Sequence, residues 1–90
     1  MRIIYKYKVV FGSYSELDLP KDAQILKIDE QKDEIVLWAL VNPDKPIITR
    51  KFKIEGTGYP IEEKENLEYI NTFYTNNNEL VWHVFEILKQ

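Results

Sequence analysis

The sequence predicts an all-β fold, an antiparallel β-sandwich or partly open β-barrel of about six or seven strands, and three observations predict it. Apolar and polar residues alternate with a period of two over most of the chain. Turn residues recur at intervals of roughly 8 to 12 positions, and no segment demands a long helix. The 90 residues are expected to form one domain, 1–90. A chain of that length buries only roughly 60 to 65 per cent of the surface its unfolded form exposes, so its stability is expected to be modest.

The elements follow in order. Ile3, Tyr5, Tyr7 and Val9 share one face while Arg2, Lys6 and Lys8 sit on or near the other, which predicts a half-buried strand. Tyr14 to Leu19 reads as a short edge strand that Pro20 would end. Ala23 to Glu30 forms the first arm of a hairpin, Gln31 to Glu34 its reversal, and Ile35 to Val41 the second arm. That second arm is the one continuous apolar run, which predicts a central strand covered on both faces. Asn42-Pro43-Asp44-Lys45-Pro46 supplies a turn with Pro43 preset for its second position. Ile48 to Glu55 alternates again and ends at Gly56-Thr57-Gly58, and Tyr59 to Asn66 reads as a charged loop with room for one helical turn. Leu67 to Thr75 and Glu79 to Leu88 then flank Asn76-Asn77-Asn78 as a terminal hairpin. Val81 to Lys89 could also be written as a short amphipathic helix, but its Val, Trp, Phe and Ile content favours a strand.

Composition narrows the function classes. With 44% hydrophobic and 13% aromatic residues, the chain carries enough apolar surface to fold. Cysteine is absent, which removes disulfides, thiolate metal sites and a thiol nucleophile. Charges interrupt the apolar stretch of Met1 to Lys8, which argues against a signal peptide, and no apolar run approaches the roughly 20 residues of a membrane helix. A net charge of −3 opposes a phosphate backbone, so duplex nucleic acid is not an expected partner.

The chemistry-bearing residues are few. The single histidine, His83, cannot assemble a His-rich metal site within one chain, and no metal or cofactor is expected. Gly56-Thr57-Gly58 lacks both the dinucleotide fingerprint and the phosphate-loop lysine. Glu62, Glu63 and Glu65 cluster in the charged loop, where a solvated face is the expected reading rather than an acid/base pair. No hydroxyl, histidine and acid stand at suggestive positions for a triad, so a binding protein is expected rather than an enzyme. Trp38, Phe52, Trp82 and Phe85 are read as core or subunit interface, with other aromatic residues left for the surface.

Several spaced segments carry a resemblance: Leu19-Pro20 with Ala23-Gln24-Ile25-Leu26, Leu37-Trp38-Ala39-Leu40-Val41-Asn42-Pro43, Phe52-Lys53-Ile54, Gly56-Thr57-Gly58, Tyr69-Ile70-Asn71-Thr72-Phe73 and Trp82-His83-Val84-Phe85-Glu86. Together they resemble a small protein family found in phage and prophage genomes. The resemblance brings no catalytic assignment, and where that family commonly has His after Gly-Thr-Gly this chain has Tyr59. It implies a protein working in the host cytoplasm as a counter-defence factor. The favoured expectation is sequestration of a small nucleotide immune signal by a homo-oligomer. A protein-directed inhibitor of a host defence component and a virion or assembly accessory protein stand as alternatives. For a nucleotide pocket the candidates are Arg50 and Lys51 for anionic oxygens, Tyr59 and Trp82 for stacking, and the amides of Gly56, Thr57 and Gly58 for close polar contact.

Overall fold

The computed structural model describes residues 1–88 and contains no helix. Lys89 and Gln90, both within the expected domain 1–90 and the former also the end of the alternative helix, lie outside the described residues. Seven strands follow one another: β1 (Ile3–Lys8), β2 (Ser15–Pro20), β3 (Gln24–Gln31), β4 (Glu34–Val41), β5 (Ile47–Gly56), β6 (Leu67–Thr75) and β7 (Leu80–Ile87). All pairings are antiparallel. One sheet has the order β1-β4-β3 and the other β2-β5-β7-β6. The fold is thus a two-sheet antiparallel sandwich, 16 Å across its thinnest axis.

Alternation fills the space between the sheets. Leu37, Ala39 and Val41 of β4, Phe52 and Ile54 of β5, Phe73 of β6 and Val84 of β7 are buried against Leu19 and Ile28. The first sheet has β4 at its centre, as the apolar run predicts. Its outward residue Val36 is buried, while Trp38, also outward by alternation, is only half-buried between the cross-strand neighbours Lys6 and Lys27. Trp38 is therefore not a core residue, and Phe85, outward on β7, is not one either.

Turn chemistry explains the corners. Lys32 and Asp33 both take positive φ, the backbone that a two-residue hairpin requires, although neither is glycine. Asn76, Asn77 and Asn78 all lie in the left-handed region that asparagine tolerates, between Thr75 and Leu80 at the ends of the last hairpin. Asn42 accepts from the backbone N–H of Lys45 and, through its side chain, from that of Asp44, which closes the turn that Pro43 presets. The segment between β5 and β6 holds turns but no helical turn.

The Asn71 side chain joins a strand of one sheet to a strand of the other. At a register shift between Tyr69 and Asn71, the Asn71 amide faces a second shift in β3 between Ile25 and Lys27. It accepts from the Ile28 N–H at 2.9 Å and donates to the Ile28 carbonyl at 2.8 Å, as a backbone strand would. The edges β3 and β6 are thereby bridged.

Candidate functional site

Six of the seven sequence-based candidates line two separate places, and the seventh, Gly58, lies in the turn beside the first. Gly56, Thr57, Tyr59 and Trp82 line one cleft with Glu79, Leu80 and Val81. Arg50 and Lys51 line another groove with Tyr14, Thr49, Glu86, Ile87 and Leu88. Six positions of β5 separate Arg50 from Gly56, which at strand rise is roughly 20 Å. A single mononucleotide cannot touch both within one chain.

The cleft is built at the end of β5, where Gly56 pairs with Trp82. A methyl group on Gly56 would sit 3.3 Å from Trp82 Cζ3 and 3.3 Å from Tyr59 Cδ1, so the missing side chain gives both rings room over bare backbone. Tyr59 is brought back by a four-residue turn in which its N–H donates to the Gly56 carbonyl at 3.2 Å. Gly58 takes φ +90° in that turn, a value that disfavours any side chain. Trp82 is fixed more firmly. Its indole Nε1 donates to Thr75 Oγ1 at 2.9 Å, and Phe11 meets it edge-on with ring centroids 4.7 Å apart. Tyr59, by contrast, is 68% exposed. The cleft therefore offers one held ring and one accessible ring, with Glu79 in its lining, in a volume of about 220 Å³. That is room for one ring system, not for a whole dinucleotide.

Of the three amides expected to contact a ligand, that of Thr57 is already engaged within the fold. Thr57 N–H donates to the Val81 carbonyl at 3.3 Å and Tyr59 N–H to Gly56, so the turn consumes the amides on either side of Gly58. Arg50 is committed as well. Its Nε and Nη2 donate to the two carboxylate oxygens of Glu86, each at 2.7 Å, and its Nη1 donates to the Ala23 carbonyl at 2.6 Å. Side-chain exposures of 18% and 11% make this a largely buried ion pair on the core side of β5 and β7. Hydrogen bonding to Glu86 raises the Arg50 pKa against the opposing effect of burial. Lys51 is exposed on the opposite face of β5.

A second arrangement was not visible in the sequence. His83 Nε2 lies 2.7 Å from Thr57 Oγ1 and its Nδ1 3.0 Å from Thr72 Oγ1, which in turn lies 2.7 Å from the Tyr69 hydroxyl. His83 projects from the face of β7 opposite Trp82. The connection from β5 to β6 must cross β7, and it does so on this outer face: Thr57 holds its start at His83, and Glu65 holds its end at Lys53 at 3.1 Å. Lys53 also pairs with Glu55 at 3.2 Å. Burial pulls the Lys53 pKa down, but the hydrogen bonds it donates to Glu65 and Glu55 outweigh it and leave the ammonium raised overall. The same contact lowers the Glu65 pKa. Among the described residues no carboxylate hydrogen-bonds to His83, so the Thr57-His83-Thr72 chain reads as a clasp for the crossing loop.

Among the described residues no group of three or more His, Asp or Glu side chains converges as a metal site, and no helix is long and apolar enough to cross a membrane. Comparison with curated proteins and with solved structures returned no match. A model of a domain of unknown function, DUF7352, matches residues 1–90. From its first residue to its last, the chain belongs to the DUF7352 family.

Proposed function

We propose that this chain is a non-catalytic binding protein that takes one planar ring of its ligand against Tyr59 and Trp82. The observation that carries the reading is Gly56: a bare backbone position flanked by two aromatic side chains, one exposed and one fixed. Every nucleobase presents a face to such a site, and stacking contributes about 1–3 kcal/mol per base. The phage resemblance supplies the biological setting, capture of a small nucleotide immune signal in the host cytoplasm. With Arg50 neutralised by Glu86 and roughly 20 Å away along the strand, phosphate recognition would fall to a neighbouring subunit. Glu79 lines the cleft while its Oε1 accepts from the Asn76 side-chain amide at 3.2 Å, and its negative charge suits a ring edge rich in N–H donors and repels phosphate.

Thermal-shift measurements with mononucleotides and with cyclic and linear dinucleotides test the reading. A ligand that raises the melting temperature of the native chain should lose about tenfold in affinity in Tyr59→Ala, with the melting temperature of the free protein unchanged. Binding that survives Tyr59→Ala at full strength would remove the cleft from consideration. A second reading, a protein-directed inhibitor, is favoured by one separate observation: Ile3, Ile4, Tyr5, Val10 and Phe11 are all exposed over one short stretch of chain. A stable complex with a host protein and no response to any nucleotide would select that reading.

A further inference from the structure

Two sheets have four edges, and among the described residues no hydrogen bond joins the outer edge of β1 or of β2 to another strand. The β3 and β6 edges are bridged by Asn71, whereas β1 and β2 have a strand neighbour on one side only. Unpaired strand edges invite pairing with another chain. The side chains of these two edges match. On the outward face, β1 carries Lys6 and Lys8 and β2 carries Glu16 and Asp18, all exposed. On the inward face, β1 carries Ile3, Tyr5 and Tyr7, and β2 carries Leu17 and Leu19. Ile3 and Tyr5 remain 41% and 40% exposed although they point to the core side.

We infer that the β1 edge of one copy of this chain pairs with the β2 edge of the next, head to tail. In the antiparallel register that sets Lys6 against Asp18 and Lys8 against Glu16, Tyr5 falls opposite Leu19 and Tyr7 opposite Leu17. Inward faces then continue inward and outward faces outward across the junction. The present partners of these charges do not oppose the exchange: Lys6 donates to Gln31, Lys8 lies 3.6 Å from Glu34, Tyr14 donates to Glu16, and Thr49 donates to Asp18, all exposed contacts of small value. Lys51, the cross-strand neighbour of Glu16, stays on β5 and adds a second cation beside the pair.

Like edges repel where unlike edges attract. Two β1 strands paired around Tyr5 set Arg2 against Lys8, and two β2 strands paired around Leu17 set Glu16 against Asp18. Same-sign pairs directly opposite each other are destabilising, so the two-fold arrangements are disfavoured. A contact between different edges is heterologous, and such contacts generate closed rings or extending filaments. The inference rests on the edges alone and does not depend on what the Tyr59 cleft binds.

Charge exchange tests it. Light scattering after size exclusion should give the native chain a mass that is a multiple of the monomer and that falls as salt is raised. The Lys6→Glu/Lys8→Glu chain has two acidic edges and the Glu16→Lys/Asp18→Lys chain two basic ones, so each alone should run as a monomer. Mixed in equal amounts they can only alternate, so they should reassemble as a filament series or as rings with an even number of subunits, well above the monomer mass. Thermal melts confirm that each variant is folded, and the single changes Lys8→Glu and Glu16→Lys, mixed in the same way, serve if a double variant is not. A native chain that is monomeric at every concentration, variants that assemble as the native chain does, or folded variants that stay monomeric on mixing would each overturn the inference.

Discussion

Arg50 illustrates how a residue type suggests one role and its neighbours assign another. In the sequence it is the natural partner for an anionic ligand. In the fold it faces the core side of β5, where Glu86 takes two of its donors and the Ala23 carbonyl a third. Removing one partner of a buried pair leaves the other uncompensated, at a cost of about 3–5 kcal/mol, whereas replacing both by apolar groups is far cheaper. Because the pair keeps some exposure, Glu86→Leu is expected to cost about 3 kcal/mol in urea denaturation, and adding Arg50→Met should recover most of it. Recovery of less than about 1 kcal/mol would show that the pair contributes more than mutual neutralisation. Glu86 was not singled out in the sequence, because a glutamate following Val-Phe in a strand gives no sign of which face it occupies until the β5–β7 register places it beside Phe52.

At the level of elements, most of the fold was legible. Period-two alternation placed the strands close to their observed bounds, and the Asn76 to Asn78 run marked a tip whose positive φ values the structure contains. What stayed illegible depends on register between distant segments. Thr57 reaches His83 across 26 positions, and Asn71 reaches Ile28 across 43. The Gly56, Tyr59 and Trp82 cluster was partly legible because glycine, turn and aromatic ring lie close in sequence, while its separation from Arg50 requires the strand's length. Asn71 also carries a prediction. Asn71→Asp keeps the acceptor for the Ile28 N–H but sets a carboxylate against the Ile28 carbonyl. Leaving a buried polar group unpaired costs about 1–3 kcal/mol, so the variant should unfold earlier at neutral pH and regain part of the loss in mild acid, where the carboxyl can donate. Equal stability of Asn71→Asp and the native chain at neutral pH would show that the bridge adds nothing.

The molecule as a whole is a thin sandwich with a Gly56-centred aromatic cleft at one end of β5, an ion pair on the core side of that strand, and β1 and β2 edges of opposite charge. In the proposed function, Trp82 and Tyr59 form the ligand-contacting surface. Trp38 and Trp82 are the only two tryptophans, and Trp38 lies on the outer face of the other sheet. A Trp38→Phe chain therefore leaves Trp82 as the single indole reporter at the cleft. Titrating that chain with mononucleotides and with cyclic and linear dinucleotides should give saturable quenching for at least one of them. The same titration in a Trp38→Phe/Gly56→Ala chain, where the added methyl crowds both rings, should give weaker quenching. Fluorescence that no nucleotide changes, or quenching that Gly56→Ala leaves intact, would contradict the account.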